Sequence, residues 1–293
     1  LDASEPVIIL TTPRSYSTVA TAVLSGHPMI HGFPELLLNR GRTVAEAFGV
    51  ELAQESLPWQ LTGLCIALAD LHEGKLSDDS LERARDWLAQ RQDWTTKQVM
   101  DHLLAGICPE IGLEKSAATV MKEENLDLCL RNYPNASYLH LTRHPVSAQR
   151  SMQAQWTEMF RRDNDHLAAE MASVWLEGNE RIVRALAGLP ARQWMRVRAE
   201  EMLRRPYQLL PEILSWLGLH ADDSIIASML ATEKSKFAYR GDGYRLGGGD
   251  MLFFESPALR EVPDPGPVSF DPAWGLPLGT ISRTAELANY LGY

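Results

Sequence analysis

The chain is poor in the residues that staple, anchor or metallate small proteins. Cysteine occurs three times in 293 residues, at Cys65, Cys108 and Cys129, with no CxxC spacing. An odd number without paired spacing argues against a disulfide framework and suits reduced thiols used for packing. No Cys, His and Asp cluster has metal-ligand spacing, so no metal is expected. Long apolar runs are missing as well, which leaves no segment to cross a bilayer, and residues 1–13 lack the basic region and cleavage site of a signal peptide. A soluble, cytoplasmic protein is therefore expected. The first residue is Leu1 rather than Met, which fits either processing or a domain cut from a longer polypeptide. Positive charge is also short: 28 Lys and Arg stand against 38 Asp and Glu, a net charge of −10. Such a chain repels a phosphate backbone at long range, so nucleic acid is not an expected partner. A small anion is different, because a few arginines and backbone amides suffice to hold it.

What the chain does have is 45% hydrophobic residues over a length that buries a sizeable core, and a single domain over 1–293 is the expectation. The run Pro6-Val-Ile-Ile-Leu10 reads as a strand buried on both faces, and a helix follows over 18–24. From 43 to 106 the pattern is helical, with polar breaks near Pro58, 74–78 and 93–95, which predicts an inserted helical subdomain or lid. Strand and helix then alternate. Strands are predicted around 113–116, at Ser137–Thr142 and at Trp194–Arg198, and helices over Glu123–Asn132, from Val146, and over 165–187, 206–217 and 222–231. Alternation of this kind implies an α/β fold, a parallel sheet with helices on both faces. The tail from Lys236 is rich in Gly and Pro, and about 236–260, including Gly247-Gly-Gly249, reads as a mobile loop. No strand precedes those glycines, so they are no dinucleotide fingerprint.

The segment Thr11-Thr-Pro-Arg-Ser-Tyr-Ser-Thr18 lies between the buried strand and its helix, where backbone N–H groups and the helix dipole favour an anion. A hydroxyl-rich N-cap, with Ser15 or Ser17 on the first helical amides, is the plain alternative. The GxxxxGK[ST] pattern of nucleoside triphosphatases is absent: the loop has no glycine and its basic residue, Arg14, comes early. It resembles instead the 5′-phosphosulfate loop of sulfotransferases that use 3′-phosphoadenosine-5′-phosphosulfate (PAPS), a strand ending in T-x-P-(K/R)-S-x-(S/T)-T. Arg14, Ser15, Ser17 and Thr18 fit that pattern. Tyr16 stands where the family usually has Gly, so the backbone there is expected to avoid conformations that only Gly tolerates. With the sulfotransferase family come a P-loop-like fold and, as product, the bisphosphate nucleotide PAP.

The same resemblance implies a second grip. The family holds the 3′-phosphate with an arginine ending a strand and a serine eight residues on; here the strand ends Leu141-Thr-Arg143-His-Pro145 and Ser151 has that spacing. An arginine can bind phosphate through two parallel hydrogen bonds, and a serine two turns into the next helix can add a third. Gly112-Leu-Glu-Lys-Ser116 and the segment Tyr133-Pro-Asn-Ala-Ser-Tyr-Leu-His also resemble the bacterial and carbohydrate-modifying branches. Arg240-Gly241 is a candidate for the C-terminal loop that closes over the nucleotide, with a solvated turn as its alternative.

Sulfonate transfer requires a hydroxyl to attack sulfur in line while charge grows on the leaving oxygen, so cations flank that oxygen. Arg14 is the first candidate. Lys115 is the second, since the resemblance places a sulfonate-contacting lysine at the end of its strand; a solvated pair with Glu114 is the alternative. Attack also needs a base. Many relatives have a histidine two residues after that lysine, where this chain has Ala117. Other branches use a glutamate, and His27-Pro-Met-Ile-His-Gly-Phe-Pro-Glu35 resembles theirs, which makes Glu35 a candidate with His31 as competing base or orienter. Taken whole, the chain is similar to the sulfotransferase domains of curacin and olefin-synthase type polyketide synthases. That likeness implies a β-hydroxyacyl acceptor on an acyl carrier protein, a thioesterase as neighbouring domain, and release as a terminal alkene. A free alcohol or carbohydrate is the alternative acceptor; a P-loop kinase and a non-catalytic nucleotide-binding domain are alternatives of other classes.

Overall fold

Five short strands, β1 (Val7–Leu10), β2 (Ile30–Gly32), β3 (Ile111–Glu114), β4 (Ser137–Thr142) and β5 (Trp194–Arg198), form one sheet in a computed structural model that describes residues 5–160, 167–235, 237 and 249–293. The order is β2-β3-β1-β4-β5, and every neighbouring pair is parallel. β1 takes the centre because all four of its residues are buried apolar groups, which suits a strand covered on both faces. Its side chains alternate between two layers: Ile8 and Leu10 join one apolar cluster, Val7 and Ile9 the other.

The helices supply those layers. α1 (Ser17–Leu24) leaves the loop after β1 and packs on the Val7 and Ile9 face. Between β2 and β3 lie α2 (Val44–Leu52), α3 (Trp59–Glu73), α4 (Asp78–Ala89) and α5 (Thr96–Ile107). Three of these begin at a hydroxyl cap: Thr43 accepts from Glu46 N–H, while Ser77 and Thr95 head capping boxes. Gly74, at φ 62°, ends α3 in the left-handed conformation that glycine adopts most easily. Phe48, Leu61, Leu64, Leu68 and Leu103 of this insertion share one core with Ile8, Leu10 and Tyr138 of the sheet. The insertion is thus a packed layer of the fold rather than a detached lid.

α6 (Glu123–Asn132) leads into β4, and α7 (Pro145–Phe160) and α8 (Leu167–Ala187) follow it. α9 (Ala199–Arg204), α10 (Pro206–Trp216) and α11 (Asp223–Leu230) cover the Val7 face; α12 (Met251–Glu255) and α13 (Leu278–Leu291) close the chain. Three expectations need correction. The strand predicted around 113–116 begins two residues earlier, and Lys115 and Ser116 lie just past its end, because the chain turns into a short 3₁₀ helix at Ala117. β2 was not foreseen: Ile-His-Gly has no apolar alternation, and its pairing with β3 makes it a strand. Within the stretch expected as a loop, about 236–260, α12 forms at Met251–Glu255 and buries Phe253 and Phe254; beyond it α13 buries Ala288 and Leu291 against Trp175 and Leu176 of α8. Arg240 and Gly241 lie outside the described residues.

Among the described residues no helix is long and apolar enough to cross a membrane, and no group of three or more His, Cys, Asp or Glu is placed to hold a metal ion.

Candidate active site

The loop between β1 and α1 is held in an uncommon backbone shape. Arg14 and Tyr16 have φ of 60° and 59°, so both stand in the left-handed region. Alternating left-handed residues are typical of turns that gather backbone N–H groups around an anion. The expectation that Tyr16 would avoid a glycine-like conformation is therefore wrong. Left-handed geometry costs a non-glycine residue roughly 1–2 kcal/mol, and here it is offset by a stacking partner: the Arg143 guanidinium lies 3.9 Å over the Tyr16 ring. From behind, α8 presses on the loop, and a methyl group at Gly178 would stand 2.5 Å from Thr12 Cγ2.

α1 carries no side-chain cap and no acidic residue in its first turn. Its first amides are left to a ligand or solvent, in the field that favours an anion. The plain alternative, a hydroxyl cap from Ser15 or Ser17, is not what forms: Ser15 is fully buried and its Oγ lies 3.2 Å from Thr12 Oγ1.

The proposed second grip converges on this loop. Arg143 Nη1 donates to the carbonyl oxygen of Arg14 at 2.6 Å, and Arg14 Nε donates to Ser151 Oγ at 3.0 Å. The Ser151 hydroxyl thereby keeps its own proton to donate, and the buried Nε of Arg143 has no acceptor among the described residues. An unsatisfied guanidinium N–H beside a free serine O–H suits an incoming phosphate. Arg143 is fixed from behind, where its carbonyl accepts from Trp175 Nε1 at 2.9 Å. The chain end contributes too: Tyr293 donates to Glu200 at 3.1 Å and lies 3.0 Å from Thr142 Oγ1, while Glu200 accepts the N–H of His144 at 2.8 Å. These contacts pin both neighbours of Arg143.

Farther along α1 a second cluster forms. The Lys115 ammonium, only 1% exposed, pairs with the Glu35 carboxylate and donates to Thr18 Oγ1 at 3.3 Å. The solvated Glu114–Lys115 pair is thus excluded. Glu114 points the other way, is buried, and bonds Ser116 Oγ; burial, its largest influence, pushes its carboxyl up to about 7. Glu35 reaches Lys115 because the chain turns sharply after it: Leu37 has φ 54° and its N–H donates to Ser116 Oγ at 3.0 Å. His31 is placed elsewhere, its Nδ1 3.6 Å from Glu110 and its ring against Phe33.

Asp250, at the start of α12, was not singled out from the sequence. Its carboxylate lies 2.9 Å from Arg14 Nη1, and its N–H donates to Thr18 Oγ1 at 3.0 Å. Phe253 and Phe254 behind it bury against Ala22 of α1. The only signal available was an Asp placed to cap Met251-Leu-Phe-Phe after a glycine run.

The fold has well-defined relatives. The sulfotransferase domain from the curacin biosynthetic pathway superposes with a TM-score of 0.78 at 22% identity, covering 99% of this chain and 98% of that one. The sulfotransferase domain of the Synechococcus PCC 7002 olefin synthase gives 0.71 at 24% identity, covering 99% and 94%. A mouse sulfotransferase complexed with PAP gives 0.56 at 12% identity, covering 98% and 87%. At these identities the likeness establishes the fold. No curated protein sequence matches. The model of the sulfotransferase family matches residues 6–223, well over half of the chain and all of both clusters around the phosphate loop except Asp250 and Tyr293, and the chain belongs to that family.

Proposed function

We propose that the protein transfers the sulfonate of PAPS to the β-hydroxyl of an acyl chain carried on an acyl carrier protein. The carrying observation is the buried Lys115 ammonium, which joins the Glu35 carboxylate to Thr18 on the anion-binding helix. A base, a cation and a helix N-terminus are thereby held in one network at the end of the phosphate loop.

The residues present fit the nucleotide. The capless start of α1, with Ser15, Tyr16, Ser17 and Thr18, would take the 5′-phosphosulfate. The unsatisfied Arg143 Nε and the Ser151 hydroxyl would take the 3′-phosphate. When bound, PAPS supplies an electrophilic sulfonate on a phosphate leaving group. Glu35 then orients the acceptor hydroxyl and accepts its proton, and Lys115 holds that carboxylate in place before attack and offers its charge to the sulfonate oxygens. Arg14, which also pairs with Asp250, would lend its guanidinium to charge growing on the leaving phosphate. We assign the base to Glu35 because it touches Lys115, whereas His31 sits beside Glu110.

The carrier-bound acceptor is supported by the end-to-end correspondence with the curacin and olefin-synthase domains, including the helical insertion. In that setting a neighbouring thioesterase would hydrolyse the thioester, and loss of carbon dioxide and sulfate from the freed acid would leave a terminal alkene. Intact-mass measurement of a β-hydroxyacyl carrier protein, incubated once with PAPS and once with ATP and magnesium, tests the proposal. Gain of one sulfonate with PAPS alone is expected. Transfer to free alcohols or sugars but not to the carrier-bound chain would refute the acceptor, and phosphorylation from ATP would refute the reaction.

A further inference from the structure

Strand β2 is an edge of the sheet, and one side of its backbone faces a cavity instead of another strand. Phe33 N–H donates to Leu113 and Met29 carbonyl accepts from Ile111, so the odd-numbered residues of this stretch turn their polar groups toward β3. By the alternation of a strand, Ile30 and Gly32 turn theirs outward. Ile30 N–H donates to His27 in a local turn. The Ile30 carbonyl and both polar groups of Gly32 are bonded by no described residue.

Those three groups lie along a cavity of about 240 Å³ lined by Ile30 and Gly32 on one side and by Ile66 and Ala67 of α3 on another. Pro34 also lines it, one residue before Glu35. The open backbone groups of an edge strand are a template for an extended chain with its own amides. Asp70 and Glu110 line the same cavity and oppose a carboxylate, whereas Lys234, exposed, adds a cation at its rim. A neutral amide chain with an anionic far end matches this lining better than a free hydroxy acid does.

We infer that the groove along β2 is a binding site for the secondary-amide arm of a thioester-linked acceptor, the pantetheine arm by which carrier proteins hold acyl chains. Gly32 N–H donates to an arm carbonyl, and the Ile30 and Gly32 carbonyls accept from arm N–H groups, as in an added strand. The apolar wall of Ile66 and Ala67 covers the methylenes between them. The arm would bring its acyl end past Pro34 to Glu35. The identity of the arm rests on the carrier-bound reading above; the vacant bonding capacity of β2 does not.

The test is titration of the full chain with pantetheine, followed by the backbone amide resonance of Gly32. A saturable shift is expected with pantetheine and none with an alkyl thiol of equal length. Ala67→Trp and, independently, Leu76→Trp fill the cavity and should remove the shift while leaving PAP affinity and melting temperature within the spread of the parent protein. No saturable shift, an equal shift from the alkyl thiol, or a shift that survives in both variants would overturn the site. Pantetheine binding without sulfonation of a β-hydroxyacyl carrier protein would sink the carrier-bound function and leave the groove standing; sulfonation with no Gly32 shift would do the reverse.

Discussion

At one end of the phosphate loop, Arg14, Tyr16, Arg143 and Ser151 hold one another by ring stacking and by hydrogen bonds to neutral acceptors. At the other, Lys115, Glu35 and Thr18 meet through a buried ion pair. Arg143 therefore keeps charge to spare for an anion, whereas Arg14, beside Asp250, and Lys115, beside Glu35, are each already paired with a carboxylate. Spare charge makes affinity, and a matched pair awaiting a proton makes chemistry. The nucleotide grip is thus expected to govern binding and the Lys115 cluster turnover, although Thr18 and α1 belong to both.

The sharpest way to break that division is at the base. Glu35→Gln keeps shape and loses proton acceptance, so kcat should fall about 10²- to 10⁴-fold while calorimetric PAP affinity stays within twofold. A parallel loss of affinity would merge the two ends into one unit.

Next comes the carboxyl buried behind the reactive end. Folded protein keeps the Glu114 proton up to about pH 7, whereas the unfolded chain releases it near the ordinary carboxyl value of 4.5. Across that window the folded state binds more protons, so stability falls as pH rises through it and levels off above. Glu114→Gln should remove the fall and leave the variant more stable at pH 8 by on the order of 3 kcal/mol, measured by urea unfolding at pH 5 and pH 8. An unchanged slope would mean that Glu114 is ionised throughout.

Arg143→Ala should weaken PAP binding roughly 10- to 100-fold, the worth of charge-assisted hydrogen bonds of about 1.5–3 kcal/mol. Its kcat at saturating PAPS should change little. Equal binding by variant and parent would remove the 3′-phosphate grip.

The smallest effect is expected at Tyr16→Gly. Glycine relieves the left-handed strain of about 1–2 kcal/mol but loses the stack on Arg143, worth about 0.5–1 kcal/mol. Melting temperature should shift by only a few degrees while PAP affinity drops a few-fold. A large stabilisation with unchanged affinity would show that the stack adds nothing to the grip.

Much of the grip was legible because its parts are short-range patterns: a loop between a buried strand and a helix, and a serine eight residues after a strand-ending arginine. Both survive in any correct fold, since spacing along one helix fixes where Ser151 points relative to Arg143. The reactive end was legible only as separate residues. Glu35 is 80 positions from Lys115, and local pattern cannot say whether such residues meet, nor choose between Glu35 and His31. Tyr16 was misjudged because a rule about glycine ignores what a neighbour can offset. β2 was invisible because three residues of an edge strand have no period to detect, and α13 was masked by the Pro- and Gly-rich stretch before it.

By itself the sequence determined the α/β alternation, the polar loop between β1 and α1, and the residue types proposed to grip a nucleotide, because strand burial, helix period and capping act over a few residues. Only the tertiary structure decided which carboxylate meets Lys115, that Asp250 and Tyr293 return from the tail to the phosphate loop and the Arg143 strand end, and that the edge of β2 stays open. Those are outcomes of parallel strand order and of packing between segments far apart in the chain, where burial rather than local preference selects the partner.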